Sequence, residues 1–169
     1  NIDSTYPKNA LKMSFTSNHD ENSWNKADYG TMPGRSHAPF AVLTQTMARS
    51  VPLIYSGQEE PVLDSISFFY KDTIKFGKYA RAPFYHILLE LRKNNIALAA
   101  NASFIKLKTH DDKAVYAYLR KNKNAQVLVL LNLSSHPQMF SIDNSLINGR
   151  AKNVFTGTEE QIKSNEAFY

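Results

Sequence analysis

The sequence contains no cysteine. Disulfide scaffolds and thiolate metal sites are therefore excluded. Export is not excluded, because exported proteins do not require disulfides. No apolar run approaches the roughly 20 residues that cross a bilayer, and no signal peptide is visible. The first residue is Asn1 rather than Met, which fits a processed protein or a piece of a longer one. Glycine and proline are modest and low-complexity tracts and internal repeats are absent, so wholesale disorder is not expected. Charge of one sign is not concentrated either. The formal net charge is +5, and the basic residues are scattered apart from a small cluster at Arg120, Lys121 and Lys123. Scattered charge keeps a protein soluble, and no nucleic-acid partner is expected from it.

What is present is enough for one large or two small cores: 169 residues, 43% of them apolar. Leu11, Met13 and Phe15 alternate with polar neighbours, a short strand. The polar stretch from Ser17 to Arg35, with Gly30, Pro33 and Gly34, reads as a long loop. Pro39 opens a helix, with Phe40, Leu43 and Met47 as its expected buried stripe. A second strand follows over Val51 to Tyr55, stopped by Ser56 and Gly57. Gln58 to Tyr79 is irregular, with Phe68, Phe69 and Phe76 expected as core anchors. A second helix starts at Pro83, carries Phe84, Ile87, Leu88 and Leu91 on one face, and ends at Asn94 and Asn95.

The texture changes near residue 100. Strands are expected around Ile105 to Thr109, Ala114 to Arg120 and Ala125 to Leu133, with turns at His110 to Lys113 and Lys121 to Asn124. Weaker strands follow near Met139 to Ile142 and Ala151 to Phe155. Short strands with regularly spaced turns point to an antiparallel sandwich. The first region alternates strand and helix, the rhythm of a parallel α/β sheet. Two parallel strands do not make a domain, because a parallel sheet is buried on both faces and needs neighbours. The first region is therefore expected to be the tail of a larger α/β domain.

Chemistry is expected where a parallel strand ends. Asn18, His19 and Asp20 lie just past the first strand and before the long loop. Alone, a His-Asp pair is as well explained by a surface contact or a local cap. A metal-dependent phosphohydrolase would need further ligands on nearby helices, and His37, His86, His110 and His136 lack that spacing.

Four segments in order carry a resemblance: FTSNHD at 15–20, VPLIYSGQE at 51–59, ISFFYKDTIKF at 66–76 and LLELRKNNIAL at 88–98. Together they resemble the alpha-amylase family of retaining α-glucan enzymes, across its seventh and eighth barrel strands, last barrel helix and crossing into the C-terminal β domain. The implied fold class is α/β plus all-β: the C-terminal portion of a (β/α)8 barrel over residues 1–100, then an antiparallel β-sandwich over 101–169 that lacks its last strand. The resemblance implies that Asp20 is the transition-state stabiliser among three active-site carboxylates. It also implies that His19 binds the same sugar and that Asn18 supports it. Trp24 is either part of a sugar-contacting wall or a loop anchor. Gln58 and Glu59 fall in the exit loop as structural residues.

Retaining glycosidases need a nucleophile and an acid/base about 5 Å apart, and the family's blocks for both are missing here. The chain alone is thus expected to be inactive, with the missing N-terminal part of the same enzyme as its partner. The intact enzyme would cleave α-1,4-glucosidic bonds in starch and maltooligosaccharides with retention. The competing readings are a glucanotransferase of the same family, or a non-catalytic glucan-binding or structural β-rich domain. Tyr116 and Tyr118, on one strand face, fit a glucan-binding surface or a packed core. No cofactor is implied in this chain. Calcium belongs to the intact enzyme's expected inventory, and the resemblance leans toward a secreted or periplasmic location.

Overall fold

The structure, a computed structural model, describes residues 5–7, 9–25, 32, 34–60, 62 and 64–169. Its first part holds strand β1 (Lys12–Ser14), helix α1 (His19–Asn25), helix α2 (His37–Thr46), strand β2 (Ser50–Pro52) and helix α3 (Ala82–Asn94). β1 and β2 are parallel, with Met13 opposite Val51. The predicted loop is helical over α1, and its 26–31 portion lies outside the described residues. Asn18 begins that helix by accepting the Glu21 backbone N–H at 2.7 Å on its side-chain oxygen.

Of its expected stripe α2 bears out only Leu43, which packs on Tyr118, Val129 and Leu131. Its buried residues are His37, Ala41, Gln45 and Thr46, while Phe40 and Met47 are each 38% exposed. The inward face is polar because its neighbours are polar. His37 Nε2 lies 3.2 Å from the Tyr85 hydroxyl of α3 and 3.4 Å from Thr16 Oγ1. α3 runs as expected from Pro83 in its first turn to Asn94, and of its expected face Leu88 is buried; Tyr85, outside that face, is buried too, and Arg92 and Lys93 stand in the last turn.

The second part is antiparallel. β3 (Ser103–Leu107), β4 (Val115–Asn122) and β5 (Ala125–Asn132) form one sheet in that order. β6 (Phe140–Ser141) pairs with β9 (Ala167–Phe168), and β7 (Gly149–Lys152) pairs with β8 (Glu159–Ile162). β7 ends before Phe155, shifted from the expected Ala151 to Phe155. One face of the three-stranded sheet packs Leu107, Ala117 and Leu119 against Ile142 and Ile147, with Phe140, Ile162 and Phe168 alongside. The other face packs Tyr118, Val129 and Leu131 against Val42 and Leu43 of α2. β4 is thereby covered on both sides. Tyr118 is fully buried, its hydroxyl bonded to Thr46. Burial pushes its phenol up to about 12. Tyr118 is a packing residue, and no sugar reaches its face.

One arginine fastens the second part to the first, and another braces the first part within itself. Arg120 is 0% exposed and donates to the carbonyls of Thr46, Ala99 and Ser103. It is therefore no member of a surface basic cluster. Arg92 donates to the carbonyls of Gln45 and Ser50. Gln45 and Thr46 close α2, so both cations meet carbonyls that a helix end leaves without partners. Burial lowers the pKa of each guanidinium. The crossing segment is equally fixed, with Ala97 and Leu98 buried and the Arg49 N–H bonded to the Ala100 carbonyl at 3.0 Å.

Candidate active-site edge

The exit loops of the two parallel strands meet at one edge. Past β1 comes Thr16, and past β2 comes Gln58, whose side-chain amide donates to Thr16 Oγ1 at 2.8 Å. Gln58 is buried and its oxygen accepts the Tyr55 N–H at 2.7 Å. Gly57 makes the turn between them at φ 98°, where a side chain would crowd Val62. Glu59 accepts the Gly57 N–H at 3.1 Å. Gln58 and Glu59 are thus struts of the edge.

α1 stands on this edge and carries three of the residues singled out in the sequence. His19 Nε2 lies 3.5 Å from Asp20 Oδ1, with the side chains 73% and 56% exposed. An ion pair so exposed is weak, and both groups stay open to solvent. Asp20 and Glu21 occupy the first turn, where a helix favours negative charge. Asn18 has its oxygen committed to the cap. Asp20 and Trp24 are four residues apart and share one helix face.

The opposite face of α1 holds a residue that sequence reasoning missed. Asn22 is buried and its side-chain oxygen accepts the Ile66 N–H at 2.7 Å. That bond holds the irregular segment against α1 and sets Phe68 and Phe69 beside Trp24, with ring centroids 5.7 and 6.4 Å away. These phenylalanines are not the core anchors expected of them: Phe68 is 47% and Phe69 75% exposed. Phe76 is also partly exposed, stacked on Tyr79. The aromatic doublet was the only signal available in the sequence.

Asp72 accepts the backbone N–H groups of Ser67 and Thr73, which holds its carboxyl below the usual range. It braces a loop and does not cap a helix. Among the described residues, no three His, Asp or Glu side chains gather in a way that could hold a metal ion. No helix is long and apolar enough to cross a membrane among the described residues.

No family model and no curated protein matches the chain. Among solved structures, it is similar to the noncanonic maltogenic alpha-amylase AmyB of Thermotoga neapolitana, with a TM-score of 0.82 at 22% identity. It is also similar to an alpha-amylase of Lactobacillus plantarum, with a TM-score of 0.72 at 21% identity. Each match covers 98% of this chain and about two-fifths of the other, 40% and 38% respectively. The chain has the fold of a portion of these alpha-amylases, a mixed α/β arrangement whose sheets are mostly antiparallel.

Proposed function

We propose that this chain is the C-terminal part of an alpha-amylase-type glycoside hydrolase acting on α-1,4-linked glucans. In this reading residues 1–100 close a (β/α)8 barrel and residues 101–169 form its C-terminal β domain. The observation that carries it is the inverted polarity of the parallel pair. Ser14 and Ser50 face inward, hydroxyl to hydroxyl at 2.6 Å. Leu11, Met13 and Val51 point outward, each about half exposed or more at 52%, 62% and 49%. A parallel sheet buries both faces, so that apolar face suits further strands. The fold shared with alpha-amylases and the open acid at the strand exits point the same way.

Asp20 then acts on the sugar at the bond being broken. Its carboxylate accepts hydroxyl protons of that ring, and these bonds tighten as the ring flattens toward an oxocarbenium ion. His19 donates to the same ring. The nucleophile and the general acid/base come from the preceding part of the enzyme, which forms and hydrolyses the glycosyl intermediate. Whether water or a second sugar takes up the glycosyl group depends on those loops.

A starch-hydrolysis assay tests this reading. The 169-residue chain alone should be inert, and a form extended toward the N-terminus should be active. In the extended form Asp20→Asn should lower kcat by about a hundredfold or more, the equivalent of several kcal/mol, with the circular dichroism unchanged. Turnover by the short chain, or near-normal turnover by the Asp20 variant, would remove Asp20 from this role.

A further inference from the structure

We propose that Trp24, Phe68 and Phe69 form a stacking platform that holds a neighbouring glucose unit of the α-glucan bound at Asp20. The proposal rests on the α-glucan reading above and extends it to residues of the 66–72 segment. Three observations carry it. The rings form one exposed cluster, at 67%, 47% and 75%, and clustered exposed apolar surface marks a contact site. The rings are also oriented by one another. Phe68 and Phe69 meet edge to face at 4.8 Å and 69°, and Trp24 meets Phe69 at 80°.

The cluster is fixed to the candidate site as well. Asn22 holds Ile66 at 2.7 Å, Asp72 holds the Ser67 N–H at 2.9 Å, and Ser67 Oγ accepts the Tyr70 N–H at 3.2 Å. Trp24 shares its helix face with Asp20, so the platform continues the acid's surface. A pyranose ring suits this arrangement. Its C–H groups present an apolar, weakly positive face to the negative face of an aromatic ring, while its rim hydroxyls reach polar groups such as His19 and Asp20. A flat aliphatic patch would lack that directional match.

Trp24 is the only tryptophan of the chain, so its fluorescence reports on the platform alone. Titration of the chain with maltoheptaose should give a saturable emission change, and cellohexaose, whose β-linked chain is straight, should give none. Phe69→Ala should weaken the maltoheptaose response by about three- to tenfold, and Phe69→Tyr should restore it. A flat response to both sugars overturns the platform, while Asp20 still stands or falls by the starch assay. Equal responses overturn the α-glucan assignment. A concentration-dependent emission shift without sugar, together with dimer formation in the ultracentrifuge, shows a second copy on this face and overturns the proposal as well.

Discussion

β4 has Ala117 and Leu119 in one cluster and its Tyr118 and Arg120 side against α2, whereas β1 and β2 turn Met13 and Val51 to solvent. The contrast follows from how each sheet type is completed. Antiparallel strands join through tight turns, such as the one where Lys123 adopts φ 51°, and need little chain to find partners. Parallel strands depend on elements far away in sequence. In this molecule the antiparallel part encloses its own core, and the parallel part carries the candidate site beside strands whose apolar side chains stay exposed. Arg120, bonded to the carbonyls of Thr46 and Ala99, is what lets the second part steady the first.

Cutting that support is the most severe way to break the comparison. Arg120→Met leaves the carbonyls of Thr46, Ala99 and Ser103 unpaired. The expected loss is about 3–5 kcal/mol, read from urea unfolding midpoints. Arg120→Lys should recover only part of it, because an ammonium cannot span three carbonyls as a guanidinium fork does. If the methionine variant unfolds within about 1 kcal/mol of the parent, the seam is not where the parts are joined.

A paired substitution sharpens the contrast between the two cores. Leu119 is 1% exposed and Met13 is 62% exposed. Leu119→Ala should cost about 2–5 kcal/mol, the cost of a cavity in a closed core. Met13→Ala in the same chain should shift stability by no more than about 0.5 kcal/mol. Equal losses would mean that the outward face of β1 is already covered.

Much of this was readable from residue order. The exit of β1, the course of α3 and the β3–β5 meander follow from alternation, proline placement and turn residues, all local signals. The misses are non-local. α2 shows Phe40, Leu43 and Met47 at helical spacing, yet the face packed on α3 and the strand exits is the one bearing His37 and Gln45. No periodicity reveals that a helix has polar neighbours. Arg120 looked like surface charge until the carbonyls of α2 were placed against it. α1 was missed although Asn18 with Glu21 three residues later is a capping pattern, because seven residues show too little periodicity. β8 and β9 are short and largely polar, so pairing defines them more than sequence does. The address of Asp20 was visible in the sequence; the Trp24–Phe68–Phe69 cluster was not, since it depends on Asn22 reaching a distant N–H.

The mildest effect concerns how the irregular segment is held in the parallel part. Glu60 accepts the backbone N–H groups of Gly77, Lys78 and Tyr79, at 2.6 Å for Tyr79. The Tyr79 bond is the largest cause of its carboxyl lying below the usual range, opposed by some desolvation. A carboxyl lowered in the folded state adds stability above its unfolded pKa and loses it as the pH falls through the folded one. Acidification should therefore free these three amides. Hydrogen exchange at Gly77–Tyr79, corrected for intrinsic rates, should quicken below the ordinary glutamate range. Glu60→Gln, which offers a neutral acceptor in place of a charged one, should show fast exchange already at neutral pH, with no further acid step. Amides of β4 and β5 should not respond in either protein, because the sheet they belong to is closed by its own strands and not by a carboxylate.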